Sequence, residues 1–229
     1  MRKGRTIANF VIFVMLAVLT GVSVGGTKTI KVQADARVVY AGNTDNNNVC
    51  FMINVYQGED YVRDMLDLFD VYGTKTTFFV GGSWVVKNID LVKEIYSRGH
   101  ELGNHGFLHK DHDKLDYDQN EEEILLCHKT VLENIGVEMT LFAPPSGAYH
   151  TITVDVASSL NYKTIMWTRD TIDWRDQNVD LIYNRAIKNL GNGDLVLMHP
   201  TECSVRALSK ILPYAINNGY NPTTVSGCL

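Results

Sequence analysis

Residues Gly99 to His112 read G-H-E-L-G-N-H-G-F-L-H-K-D-H and hold four of the chain's seven histidines. A short strand candidate, Glu101–Asn104, runs directly into His105, and His109 follows four residues later. If the chain turns helical after Asn104, both imidazoles lie on one helix face. Two neutral ring nitrogens so placed can hold one zinc-like ion at about 2.0–2.1 Å each. Two ligands do not make a site, so the weight of this pair depends on what else the chain brings to the same place.

The surrounding sequence repeats one rhythm. Strand candidates fall at Val49–Val55, Thr76–Val80, Glu101–Asn104, Thr140–Ala143, Thr164–Trp167, Leu195–Met198 and Thr223–Val225. Helical patterns fall between them, at Glu59–Tyr72, Asp90–Arg98, Asn120–Ile135, Thr153–Leu160, Asp180–Leu190 and Ser204–Asn218. Gly73, Gly99, Gly136, Gly191 and Gly219 stand just past five of these helices, as helix stops do. Strands alternating with helices predict an α/β fold with a mainly parallel sheet. Seven such units around a nearly closed ring make a distorted (β/α)7 barrel, whose chemistry sits at the C-terminal ends of the strands. The residues that follow the strands are Tyr56-Gln57-Gly58, Gly81-Gly82, His105, Pro144-Pro145-Ser146-Gly147, Arg169-Asp170 with Asp173-Trp174, and His199. Histidines, carboxylates and a tryptophan therefore converge on one rim.

The first residues stand apart. Arg2, Lys3 and Arg5 precede an almost wholly apolar run from Phe10 to Val24. Residues 1–26 read as a signal peptide or N-terminal membrane anchor, with the anchor favoured because the small-residue site Val32-Gln33-Ala34 lies far past the apolar run. Residues 27–48 read as a linker and 49–229 as one domain, outside the cytoplasm by the positive-inside rule. Residues 1–31 carry five Lys/Arg and no acid, whereas the remainder holds 16 basic against 26 acidic residues. Such a domain does not bind a nucleic-acid backbone. Cys50, Cys127, Cys203 and Cys228 are too scattered for a disulfide scaffold or a thiolate zinc site. A Cys203–Cys228 disulfide fits the layout, since both residues follow late strands.

Taken in order, H-x-x-x-H, then P-P-x-G, then W-x-x-D-x-x-D-W, then L-x-H resembles the polysaccharide deacetylase (NodB-homology, carbohydrate esterase family 4) domain, from about Val49 to Leu229. The resemblance implies a single distorted (β/α) barrel that hydrolyses acetyl groups on N-acetylated cell-wall glycans, of peptidoglycan or chitin type. It implies a divalent metal, zinc or alternatively cobalt, on His105 and His109. It makes His199 the general acid and Asp173 the carboxylate that tunes it. Leu197 and Trp174 match walls of the acetyl pocket, and Pro144, Pro145 and Gly147 the third motif. A divergent sporulation-associated branch resembles the chain in its first motif and in Phe142-Ala-Pro-Pro-Ser-Gly147.

Three positions depart from the family pattern. The first motif, T-F-D-D-G in the family, reads Asn54-Val55-Tyr56-Gln57-Gly58, so Tyr56 stands at the general base and Gln57 at the third metal ligand. Ala143 stands where the family has the arginine that holds the base. A phenol, with an ordinary pKa of about 10, is a poor base near neutrality. Asp170 is an alternative proton acceptor. Two functions follow: a metal-dependent deacetylase with a degenerate first motif, or an inactive member acting as a cell-surface glycan-binding or scaffold protein. His100 and His112 lie outside the motifs and read as ordinary loop or surface residues. The oligomeric state stays open.

Overall fold

Strand β2 (Asn48–Val55) lies at the centre of the fold because both of its faces are apolar. Val49, Phe51, Ile53 and Val55 pack toward the helices, whereas Cys50 and Met52 point to an inner core with Phe79, Leu141, Ala143, Ile165, Leu195 and Leu197. A strand buried on both sides reads as a continuous apolar run rather than an alternating one. The computed structural model describes residues 35–229. The expected anchor at 1–26 and the first part of the linker lie outside the described residues.

Strands β3 (Thr77–Val80), β4 (Glu101–Asn104), β5 (Leu141–Phe142) and β6 (Lys163–Ile165) follow on one side of β2, all parallel. On its other side lie β8 (Leu195–Met198) and then β7 (Arg169–Asp170), again parallel. The sheet is curled, and residues 166–168 alone link β6, near one end, to β7, at the other, in keeping with the distorted barrel.

Helices α1 (Glu59–Val71), α2 (Gly82–Lys87), α3 (Ile89–Ser97), α4 (Tyr117–Ile135), α5 (Thr151–Ser159), α6 (Val179–Ile187), α7 (Glu202–Asn217) and α8 (Val225–Cys228) complete the described chain. Their starts and stops are chemically legible. Asp116 and Gln119 form a reciprocal capping box on α4, which stops at Gly136 in the left-handed conformation. Helix α6 ends three residues before the expected Leu190, and Asn189, not Gly191, takes the left-handed turn.

Three expectations are corrected. The segment from Asp35 to Asn48 is part of the fold rather than a free linker: β1 (Val38–Val39) pairs with β6, and the Asn43 amide donates to the Cys228 carbonyl at 2.6 Å. At the C-terminus the strand is β9 (Asn221–Pro222), paired with β2, whereas Val225 opens α8 because the Thr224 hydroxyl accepts from the Gly227 amide. His100 is buried at 2% exposure between Phe69 and Phe78, and its Nδ1 accepts from the Thr76 amide. Burial there pushes its pKa down to about 4.

The expected Cys203–Cys228 disulfide is also absent, and all four cysteines are free. Cys228 packs into the inner core beside Cys50, whereas Cys203 packs against the helix-facing core. Burial pushes the Cys127 and Cys228 thiols up to about 12 and raises that of Cys50 as well. Only the thiolate reacts with a disulfide reagent. Titration of the native protein near pH 8 is therefore expected to count one fast thiol, Cys203, and titration in denaturant to count four. Two or more fast thiols before unfolding would contradict this packing.

Candidate active site

The C-terminal ends of the strands surround a cavity of about 620 Å³ lined by Asn54, Tyr56, Gln57, His105, His109, Trp167, Asp170, Trp174, Leu197 and His199, among others. Of the motif residues singled out in the sequence, Ala143, Pro144, Pro145 and Asp173 are set back from its wall. Asp173 lies behind His199, and Pro145 is buried with its ring near Gly106.

His105 leaves the end of β4 with 2% exposure, and its Nδ1 is 2.7 Å from the Ala143 carbonyl. The carbonyl can only accept, so Nδ1 carries the proton and Nε2 keeps its lone pair. Burial, and after it the neighbouring His109, holds the His105 pKa well below its ordinary value. Burial also lowers that of His109. The two rings are 5.0 Å apart between centroids.

No helix brings them together, contrary to expectation. Residues 105–111 form a loop in which His109 has a φ of 57°. Glu123 of α4 clamps this loop. Its Oε2 accepts from the Phe107 and Leu108 amides at 2.9 and 2.7 Å, and its Oε1 lies 3.0 Å from Lys110 Nζ. His112, expected at the surface, is wholly buried, with Nδ1 2.7 Å from Asn120 Oδ1. The loop is thus built from its far side by α4, which no local spacing reveals.

Strand β2 delivers Tyr56 and Gln57. Gly58 then turns at a φ of 85°, and a side chain there would strike the Pro200 carbonyl. The Tyr56 ring stacks on His109 at 4.7 Å and lies against Gly81, where an added Cβ would come within 2.6 Å of it. Its hydroxyl donates to the Leu108 carbonyl and accepts from Ser83 Oγ, both at 3.3 Å. The phenol is therefore engaged with the loop that carries His109, where the family pattern has a carboxylate.

The two residues read from the sequence as acid and tuning carboxylate, His199 and Asp173, are in direct contact. Asp173 is 0% exposed and accepts three hydrogen bonds: from His199 Nδ1 at 2.7 Å, from the His199 amide at 2.7 Å and from Ser204 Oγ at 2.6 Å. His199 thus presents Nε2 to the cavity in a fixed orientation. Ile172, directly before Asp173, has a φ of 53°. The Arg185 guanidinium, bonded to the Thr171 carbonyl and to Asp176, braces this turn. Asp170 accepts from the Ile172 amide at 2.7 Å, which commits one of its oxygens to the same turn.

An apolar rim completes the cavity. Trp174 is 58% exposed beside it, Leu197 lies deep at 3% exposure, and Trp167 packs on Gly147. Trp167 and Asn54, each the first residue of a quoted motif, were given no role from the sequence, although Asn54 is readable from strand alternation as the next inward residue after Cys50 and Met52.

The family's metal would rest on His105, His109 and Gln57. Among the described residues no three His, Cys, Asp or Glu side chains are placed to hold a metal ion. Two imidazoles and a carboxamide oxygen, the last outside the thiolate, imidazole and carboxylate donors that zinc takes, are a donor set that does not fit a tight zinc site.

The sequence matches the polysaccharide deacetylase family over residues 41–165. An uncharacterized protein, YlxY, of Bacillus subtilis is 36% identical over 82% of this chain, which spans only 59% of that protein's length. A peptidoglycan-N-acetylglucosamine deacetylase of Bacillus cereus is 35% identical over 80% of this chain and 90% of its own. The crystal structure of a CE4 family pseudoenzyme from Bacillus anthracis superposes with a TM-score of 0.81 at 30% identity, covering 83% of this chain and 68% of that one. A mutant of that pseudoenzyme with restored enzymatic activity superposes equally well.

Proposed function

Because the chain belongs to the polysaccharide deacetylase family, we propose that it is a non-catalytic member that binds N-acetylated cell-wall glycan on the outer side of the membrane. The N-terminal segment, read as an anchor, supports that location. One observation carries the proposal: the first motif supplies no carboxylate to the histidine pair, and its Tyr56 hydroxyl is bonded to the loop instead. Base and third ligand are absent together, whereas the cavity, its tryptophans and its acid half are kept. The pseudoenzyme resemblance supports the same conclusion.

Retention of Asp173 and His199 is accounted for without catalysis. The Asp173 carboxyl ties the end of β8 to α7 through three hydrogen bonds and is a structural joint whatever His199 does. The same dyad nevertheless motivates a second function, slow deacetylation with His199 protonating the leaving amine.

The two separate in one experiment. The full-length chain in detergent is titrated with chitotetraose by calorimetry, with and without chelator, while acetate is assayed. Expected are binding that chelator leaves unchanged, no acetate, and about tenfold weaker binding in Trp174→Ala, or ~1.4 kcal/mol. Acetate release that His199→Ala abolishes would overturn the non-catalytic assignment and establish the second.

A further inference from the structure

Resting on the glycan-binding proposal, we infer that Asn54 is the specificity-determining residue of this cavity and hydrogen-bonds the acetamido group of the bound sugar. The inward positions of β2 run Cys50, Met52, Asn54, so the strand that fills the inner core with apolar side chains presents a primary amide where the core gives way to the cavity. Asn54 is only 4% exposed, and its Oδ1 is buried with no hydrogen-bond partner in the protein. Nearly all buried polar groups are paired, and leaving one unpaired is costly. The partner of Asn54 therefore comes from the cavity: water when the cavity is free, a ligand group when it is filled.

The lining narrows the chemistry of that group. It contains no lysine or arginine and it includes Asp170, so a carboxylate or phosphate finds no fixed counter-charge. A neutral amide does fit, since it offers a donor and an acceptor to the Asn54 amide whichever way that side chain is turned. Leu197, paired across the sheet with Met52 just below Asn54, supplies an apolar surface for the methyl carried by an acetamide and lacking in a plain hydroxyl. Tyr56, Trp167 and Trp174 supply the faces on which a sugar ring rests. In the family's first motif this position is a threonine, so the amide is a property of this chain.

The test compares two neutral tetrasaccharides that differ at the sugar's second carbon: chitotetraose, which carries acetamides, and cellotetraose, which carries hydroxyls. The wild-type full-length chain is expected to prefer chitotetraose. Asn54→Leu, nearly isosteric, is expected to lose about tenfold in chitotetraose affinity and markedly less in cellotetraose affinity, so that the preference for the acetamide falls. Trp174→Ala is expected to weaken both alike. Asn54→Leu should melt at the wild-type temperature or above it, because it removes an unpaired polar group. A clearly lower melting temperature would show that Asn54 has a partner within the protein and would overturn the inference. Acetyl preference that survives Asn54→Leu overturns it while leaving glycan binding intact. Absence of binding to either sugar in the wild type overturns the glycan-binding proposal and this inference with it.

Discussion

A chain carrying Tyr56→Asp, Gln57→Asp and Ala143→Arg together is expected to release acetate from chitotetraose, in zinc-supplemented buffer, at least ~100-fold faster than the wild type, the low end of what a positioned base contributes. Aspartate at position 56 frees His109 from the phenol stacked on it and returns a base to the end of β2. Aspartate at position 57 gives the histidine pair the missing anionic donor. Arginine at position 143 matches the residue that holds the base in the family pattern. The three belong together. Ala143 is wholly buried, so Ala143→Arg alone places an uncompensated charge in the inner core, a change costing roughly 3–5 kcal/mol. The single variant is therefore expected to fold poorly and the triple variant to recover. A mutant of the B. anthracis pseudoenzyme has restored enzymatic activity. A folded triple variant that releases no acetate would mean that the lost activity has causes beyond the first motif and position 143.

Asp173→Ala is expected to cost on the order of 3 kcal/mol of stability, since three donors lose their acceptor in a site with no exposure to solvent. For a domain of this size that lowers the melting temperature by roughly 6–12 °C. Asp173→Asn, which keeps one carbonyl acceptor, is expected to fall between. His199→Ala removes a partly exposed ring and is expected to cost far less, about 1 kcal/mol. Thermal melts of the three variants decide the matter. A wild-type melting curve for Asp173→Ala would show that the carboxyl serves chemistry alone and would count against a structural reason for its survival.

The parts of this fold that were legible in the sequence are those governed by local pattern. The apolar run of β2 and the caps of α4 announced themselves because burial on two faces and capping chemistry leave residue-level signatures. The rim residues Tyr56, His105 and His199 were locatable because they directly follow strands. What escaped depends on distant partners. The β4–α4 loop is shaped by Glu123, more than ten residues beyond His109, so the H-x-x-x-H spacing misleadingly suggested a helix. His100 and His112 looked like surface residues because nothing nearby in sequence predicts Phe69, Phe78 or Asn120 around them. Strand β1 is two residues long and exists only through β6.

The neighbours of β2 set the order in which the barrel can be made. Cys50 pairs with Leu195, and Val49 with Pro222. Ribosomal synthesis therefore delivers this early strand long before two of its three partners exist. Closing so large a loop is entropically slow. Until it closes, an apolar strand with an open edge is a template for any other extended chain. A polypeptide that ends before β8 is accordingly not a smaller domain but an aggregation-prone half-ring, which places a premium on completing translation before the sheet is allowed to form.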